Sequence, residues 1–505
     1  MNTFLKTYKL ALTPLSPIHI GCGEDFEPTN YVIDDGTLHG FDPSRAILDA
    51  RQLEALGKAS SGTDPLAIQR FFKSNTKTFL KIANVKIPVC AGIKDEYAGL
   101  GQAANVERNG KPVINQFFIE RHEYTGPEKQ PYIPGSSFKG AVRTAWLDAL
   151  NGKQQPGDVQ FKFNGEAKST VAMETRLFRG DFKTSPLRLL KVSDFMPTDN
   201  LNRKIWYAVN LKRQPVKNRH GELVVPKGAT TRKECIQAAQ FRSLTADVTL
   251  PVLGAESAKS GEVPATALRQ TDLLTIGKKV NDYHLPRLMA ELNPLSERGF
   301  VNPHWMESVT KLISTDLHAL LSTGKVLLVR LGRYGGAESK TLSGDGVAQI
   351  KIMEGKGADG KNKFSFQSHT KTVWLAAEND KANKHLLPFG WALVEIDPTQ
   401  DEPVIFEWCK TWSKGLLTQN LESPENQQSA KVAEKYVWTA ARIKFNRANG
   451  TLTVDHDGKQ ASAISPTGEL LLSALPAVLQ TKIRRNEFVK ATATVEGKIL
   501  LKVEP

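Results

Sequence analysis

The sequence predicts an α+β fold: two copies of one plan, strands with helices packed on a single face, followed by a small separate β-barrel. Three observations lead there. Apolar residues alternate in some runs (Tyr8, Leu10, Leu12) and recur at helical spacing in others (Phe138, Val142, Trp146). The order of these runs does not follow the regular βα alternation of a parallel sheet. From residue 431 the chain reads as short strands separated by Asn449-Gly450, Asp457-Gly458 and Glu496-Gly497, a barrel-like pattern. At roughly 150 residues per domain, 505 residues call for about three units. The boundaries fall at 1–200, 201–424 and 431–505.

Taken in order, KTYKLALTP alternates and stops at Pro14, so it reads as a strand. A second short strand covers Tyr31 to Ile33 and is closed by Asp34, Asp35 and Gly36. Helices are expected over 43–56 and 65–82, the latter with an apolar stripe that includes Phe71, Phe72 and Phe79. Asn109-Gly110 between extended runs marks a tight hairpin. Helical spacing predicts a helix over 137–150. Strands follow at 187–195 and 204–211, then helices over 264–290 and 304–322. Between Arg203 and Lys233 lie nine Lys or Arg against one acid, Glu222, which predicts a basic hairpin or loop.

The 67 Lys and Arg against 53 Asp and Glu leave a net charge of +14, which favours polyanionic partners. No apolar run approaches the roughly 18 residues that cross a bilayer, and the N-terminus lacks the core and cleavage site of a signal peptide. A soluble, cytoplasmic chain is expected. Cys22, Cys90, Cys235 and Cys409 form no CxxC pair, which argues against a zinc knuckle or a disulfide framework. HExxH, GxSxG and paired-carboxylate spacings are missing, so no cofactor, metal or catalytic residue is predicted.

Three stretches carry chemistry. In PGSSFKGAVR the helix start offers unpaired N–H groups and the positive end of the dipole, the serines add hydroxyls, and Lys139 and Arg143 share a face. That combination is an anion cradle. In PIHIGCGE, Gly21 and Gly23 let the chain bend and expose amides, while His19 can stack on a base. In VRLGRYGGAESKTLSGDG five glycines accompany Arg330, Arg333, Tyr334 and Lys340. It is not a nucleotide P-loop, because Ser339 stands where glycine must precede the lysine. Amides and cations for phosphates, with a ring for a base, suit a single-stranded backbone.

Together with LLPFGWALVEI (386–396), these stretches stand in the order found in the RAMP superfamily of CRISPR proteins, which the chain resembles over roughly residues 8–397. Within it the chain is most similar to the fifth Csm subunit of type III-A effector complexes. The resemblance implies two ferredoxin-like, RRM-like domains and a guide-RNA path lined by Gly135, Ser136, Ser137, Lys139, Gly140 and Arg143. His19, Gly21 and Gly23 match the N-terminal signature of the family. Gly332, Arg333, Gly335, Gly336 and Lys340 match its later glycine loop. It implies crRNA and target RNA as partners, other RAMP subunits as neighbours, and no membrane. Where the cleaving backbone subunit carries an aspartate, this chain reads FEPTNYVID, with Thr29 and Asn30 near that place. A non-cleaving subunit is therefore expected, Asp25 and Asp34 being the nearest alternatives. The competing readings are a metal-independent endoribonuclease using His19 or His122 as general acid or base, and a backbone or 5′-handle subunit of the same machinery.

Overall fold

The computed structural model describes residues 4–62, 64, 66–100, 107–108, 111–112, 116–152, 162–163, 166–167, 174–175, 177–178, 185–217, 221, 223–224, 227–252, 272–344, 347–348, 350–357, 360–399, 403–419, 435–446, 450–463, 467–485, 487–496 and 499–505. The chain divides into two units, Met1–Gln419 and Asn420–Pro505. Both mix strands and helices, and the fold is α+β.

The first unit is built on two six-stranded sheets. In the first sheet the order is Lys191–Val192, Leu244–Pro251, Leu5–Pro14, Trp391–Ile396, Val326–Arg330, with antiparallel neighbours throughout and Met196–Pro197 also beside Leu244–Pro251. The strands VLLVR and WALVEI are buried at every position. The reason is that both faces of the sheet are covered. Leu10, Leu12, Leu327, Val329 and Val394 pack with Phe138, Val142 and Trp146 of the helix Gly135–Asn151 and with Ile276 and Val280 of the helix Leu273–Glu297. Val326, Leu328, Trp391 and Leu393 turn to the other side, among Trp305, Leu312, Leu317 and Leu321. A strand buried on both faces needs apolar residues at consecutive positions rather than alternate ones.

The long helix begins at Asp272, whose carboxylate accepts from the N–H groups of Leu274 and Thr275. Its buried Asn281 finishes the edge of the sheet. The Asn281 amide donates to the carbonyls of Leu321 and Val326 and accepts from the N–H of Leu328, at 2.7–2.8 Å. An edge strand's unpaired backbone groups are thereby satisfied without a further strand.

The second sheet runs Gly21–Phe26, Ile119–His122, Lys227–Ile236, Arg203–Lys212, Thr372–Ala377, Leu387–Pro388. Only the Ile119–His122 and Lys227–Ile236 pair is parallel among these described strands. Strands from both sides of residue 200 lie next to each other in each sheet.

Several expected elements shift for local reasons. Residues 43–56 split into a short 3₁₀ turn, Pro43–Arg45, and a helix, Ala50–Ser61, because Asp49 and Gln52 form a capping box that restarts the chain. The stretch 65–82 breaks at Asn75, which sits between helices Leu66–Ser74 and Thr76–Leu80. The Asn109-Gly110 turn lies outside the described residues, although Glu107–Arg108 and Lys111–Pro112 on either side of it pair antiparallel. Instead of one strand over 187–195, a 3₁₀ turn at Pro186–Arg188 precedes the two-residue strand Lys191–Val192. Of the expected helix over 264–290, residues 264–271 lie outside the described residues, and the helix extends to Glu297.

In the second unit, strands Lys435–Asn446, Thr451–His456, Lys459–Ala463, Val489–Glu496 and Ile499–Glu504 form a closed barrel. The first strand carries a bulge between Trp438 and Ala441, with Ala440 at φ 60°. That bend lets one strand pair with two neighbours and so close the barrel. Its interior is Ala441, Ile443, Leu452, Val454, Ala493 and Val495, plugged by Leu472 and Ile483 from two helices, Thr467–Ser473 and Ala477–Arg484. An all-β reading of 431–505 omits these helices.

Candidate functional site

The three motif stretches, far apart in sequence, meet along one line of main-chain hydrogen bonds. Gly332 has φ 77°, and a side chain there would put its Cβ 2.3 Å from the His19 carbonyl oxygen. Glycine alone permits this approach, and the next residue uses it: the Arg333 N–H donates to that same oxygen at 2.9 Å. The line continues from Ile20, whose carbonyl accepts from the Glu123 N–H at 2.7 Å, to Glu123, whose carbonyl accepts from the Tyr132 N–H at 3.1 Å. Ile133 then exchanges bonds with Phe195, immediately before the helix at Gly135. Gly332→Ala is expected to cost about 2–3 kcal/mol, from the left-handed backbone and the forced displacement of His19, measurable as a lower urea midpoint.

Beneath this line lies an ionic cluster whose Lys233, Glu120, Glu234 and Arg203 the sequence motifs do not contain. Lys233 is fully buried and pairs with Glu120, which also faces the Arg333 guanidinium at 2.8 Å and His19 Nε2 at 3.7 Å. The Glu120 carboxyl is held down at about 2, by the facing His19 ring first and then by Lys233 and Arg333, against the opposing effect of its own burial. At 3.7 Å the His19 contact is long, so the Lys233 ammonium is the firmer partner. Alongside, Glu234 pairs with Arg203 at 2.9 Å and accepts from the His122 N–H at 3.1 Å. Lys233 shares a strand face with Cys235, and a cation on an inward face demands a carboxylate; that was the legible signal.

The predicted contacts divide into those that face outward and those that do not. His19 is fully buried, with Nδ1 donating to the Glu234 carbonyl at 2.8 Å, so it supports the loop and presents no stacking surface. Arg330 is also buried, donating to the Glu291 carboxylate at 2.7 Å and to the Phe389 carbonyl at 3.0 Å. It is a structural ion pair, not an outward cation. Arg143 is half-buried and donates to Glu174 through two nitrogens. Gly135 is buried against Val192 and Ser193, and its N–H donates to the Asp194 carboxylate at 2.7 Å, so that amide already has an anionic partner.

Tyr334, at φ 69°, packs its ring on Trp374 and Phe389 at 4.9 and 5.2 Å and remains half-buried. Gly335 is buried, Gly332 is half-buried, and Gly336 is exposed. Outward-facing are Gly21, Gly23, Ser136, Gly140, Lys340 and the Arg333 side chain, which is 61% exposed; Ser137 and Lys139 are partly so. Burial first, and then neighbouring Lys191, lowers the Lys139 pKa, as expected where cations crowd without a nearby acid.

The basic stretch 203–233 is a long hairpin, Arg203–Lys212 against Lys227–Ile236. Its base is internally neutralised: Arg203 pairs with Glu234, Lys204 with Glu378, Arg213 with Glu338, Arg232 with Glu96 and Lys233 with Glu120. Counting charges along the segment overstates the field it projects, because four of these acids come from elsewhere in the chain. Among the described residues no three His, Cys, Asp or Glu side chains converge as a metal site would need, and no helix is long and apolar enough to cross a membrane.

A family model described as the RAMP superfamily matches residues 11–279. The CRISPR system Cms protein Csm5 of Methanocaldococcus jannaschii is 27% identical over 186 residues, 36% of this chain and 40% of that protein. Csm5 of Streptococcus thermophilus is 26% identical over 207 residues, 40% and 54% of the two chains, and Csm5 of Mycobacterium tuberculosis 24% over 258, 47% and 64%. The chain thus spans 40–64% of the length of these relatives. A chain of a cryo-EM structure of a Csm-crRNA-target RNA ternary complex aligns over 77% of this chain and all of its own length, at 17% identity and TM-score 0.46. The crystal structure of T. onnurineus Csm5 aligns over 65% and 90%, at 16% and 0.37.

Proposed function

The chain belongs to the RAMP superfamily, and from that premise we propose that it is a non-catalytic RNA-binding subunit of a type III-A Csm effector complex, capping the 3′ portion of the guide crRNA. The observation that carries this reading is the convergence of the three glycine-bearing motifs on one hydrogen-bonded line, with exposed Arg333 and Lys340 and partly exposed Lys139 belonging to those motifs. A ribose-phosphate chain laid along it meets amides, hydroxyls and cations with no base-specific pocket, which suits a guide of any sequence. The Csm5 name of the matched relatives supports the choice of subunit over a backbone or 5′-handle position. Two ferredoxin-like domains are part of the same reading, as are target RNA, neighbouring RAMP subunits and a cytoplasmic setting.

Against the endoribonuclease stands the burial of both histidines it would use. His19 and His122 are fully buried, and a general base must come within hydrogen-bond reach of the hydroxyl it activates.

Arg143 is half-buried against Glu174 whereas Arg333, although beside Glu120, is 61% exposed, so the informative variant replaces Lys139, Arg333 and Lys340 together by alanine. It should bind guide RNA at least about tenfold more weakly, for every sequence tried, and its log K against log salt slope should flatten by about two. Filter binding between 50 and 200 mM salt measures both; affinity and slope equal to the parent's would remove this surface from consideration.

A further inference from the structure

The C-terminal barrel closes in the order first, second, third, fifth, fourth strand, with its helices between the third and fourth strands and a parallel contact from Ser462 to Ile499. This is the arrangement of OB-folds, five-stranded barrels whose second and third strands face single-stranded oligonucleotides or oligosaccharides. A fold by itself assigns no ligand, so the site must do so.

A groove of about 840 Å³ lies over the first three strands. Tyr436 and Trp438 line it from the first strand, Thr453 from the second, and Lys459, Gln460 and Ser462 from the third. Tyr436 is 53% exposed at the groove. Beside it Trp438 is buried and stacked on His456, with centroids 5.8 Å apart and planes 24° from parallel, so this end of the groove is rigid. Thr453 and Ser462 are direct cross-strand partners, which puts two hydroxyls side by side on the groove floor. Lys459 is exposed, and the one carboxylate bonded to a lining residue among the described residues, Asp455, is engaged by the Gln460 amide at 3.0 Å. Residues 431–505 carry 12 Lys or Arg against 7 acids. A sugar ligand has no charge for this excess to meet, whereas phosphates do, and an exposed tyrosine offers a base a stacking partner.

We propose that this groove binds a single-stranded oligonucleotide, with a base on Tyr436, a phosphate at Lys459, and the hydroxyls of Thr453 and Ser462 toward sugar and base edges. Every residue involved lies in the second unit, so the inference does not rest on the guide-binding surface of the first.

The test uses the full chain with labelled oligouridine and oligothymidine of about ten nucleotides, within the site size of one such barrel. Ultraviolet crosslinking followed by peptide mapping should place adducts within 436–462, and these should persist when Lys139, Arg333 and Lys340 are all alanine. Tyr436→Ala with Lys459→Ala should weaken oligouridine binding about tenfold in that background, with an unchanged melting midpoint. Lys459→Ala alone, a change at an exposed side chain, should weaken it about threefold. Stronger binding of oligouridine than oligothymidine assigns the ligand to RNA, and equal binding admits either strand. Adducts confined to the first unit, or parental affinity in both variants, would overturn the proposal while leaving the guide-binding reading intact. Weaker overall binding by the triple-alanine chain with barrel adducts retained would support both surfaces, each read out separately.

Discussion

Glu291→Ala should lower the stability of the first unit by about 3–5 kcal/mol, seen as a large drop in urea midpoint with little change in slope. The carboxylate is buried and one oxygen accepts from both the Arg330 guanidinium, at 2.7 Å, and the Trp391 indole N–H, at 2.9 Å. Removing it strands a cation and a neutral donor away from water at once. Among the described residues Arg330 keeps its bond to the Phe389 carbonyl and its place over the Trp391 ring, neither of which carries a compensating charge. Since a buried pair is weaker evidence for stability than its rupture suggests, Glu291→Leu with Arg330→Met should recover most of the loss. The same pair decides the role of Arg330. If the guanidinium is internal, the double variant should bind RNA like the parent once folded; a loss of affinity comparable to that of the three outward cations would return Arg330 to the contact surface.

Arg330 also shows where reading from sequence succeeds and where it stops. The helix over 135–151 and the strand through Tyr8, Leu10 and Leu12 were legible because their periodicities are local properties of neighbouring residues. The same is true of the hairpin at Asp35-Gly36 and of the Asp457-Gly458 turn, where both residues have positive φ. What neighbours cannot report is which distant strand lies alongside. Leu5–Pro14 sits between Leu244–Pro251 and Trp391–Ile396, and nothing in its ten residues names either partner. Ion pairs suffer most from this blindness. Arg143, Arg330 and the base of the 203–233 hairpin looked like available cations because Glu174, Glu291, Glu96, Glu120 and Glu378 stand far away in sequence. The glycines fared better: Gly332 was picked out by its motif, and the structure gives the motif a steric cause in the His19 carbonyl. The helices at 467–484 were readable in principle, since Leu472, Leu475, Leu479 and Ile483 recur at three and four. The strands on both sides of them give the segment its dominant pattern.

Acidification from pH 7.5 to 5 should destabilise the first unit by about 4 kcal/mol, roughly 2 from each of two buried histidines. Burial, aided by the nearby charges of His19 and Arg203, pushes His122 down to about 3, against a hydrogen bond to the Glu123 carbonyl. Burial, with Arg287 and Arg330 beside it, pushes His284 down to about 3 as well. The unfolded chain takes up protons near pH 6.5 and the folded one does not, so below 6.5 the unfolded state binds more protons and stability falls as pH falls. Glu120 acts in a lower window: its folded value of about 2 lies below that of a free carboxylate, so its contribution is present above about 4.5 and is lost between there and about 2. The order of loss is therefore histidines first, then the Glu120 cluster that holds the Arg333 loop. His284 separates the two histidine contributions, because neither of its ring nitrogens has a hydrogen-bond partner among the described residues and its ring packs edge-on to Trp391 at 6.2 Å. His284→Phe keeps an aromatic edge there and forfeits no bond, so stability at pH 7.5 should hold or rise while the loss at pH 5 shrinks by about half. Urea titrations of parent and variant at the two pH values measure this; a parental pH dependence in the variant would show that His284 takes its proton without unfolding.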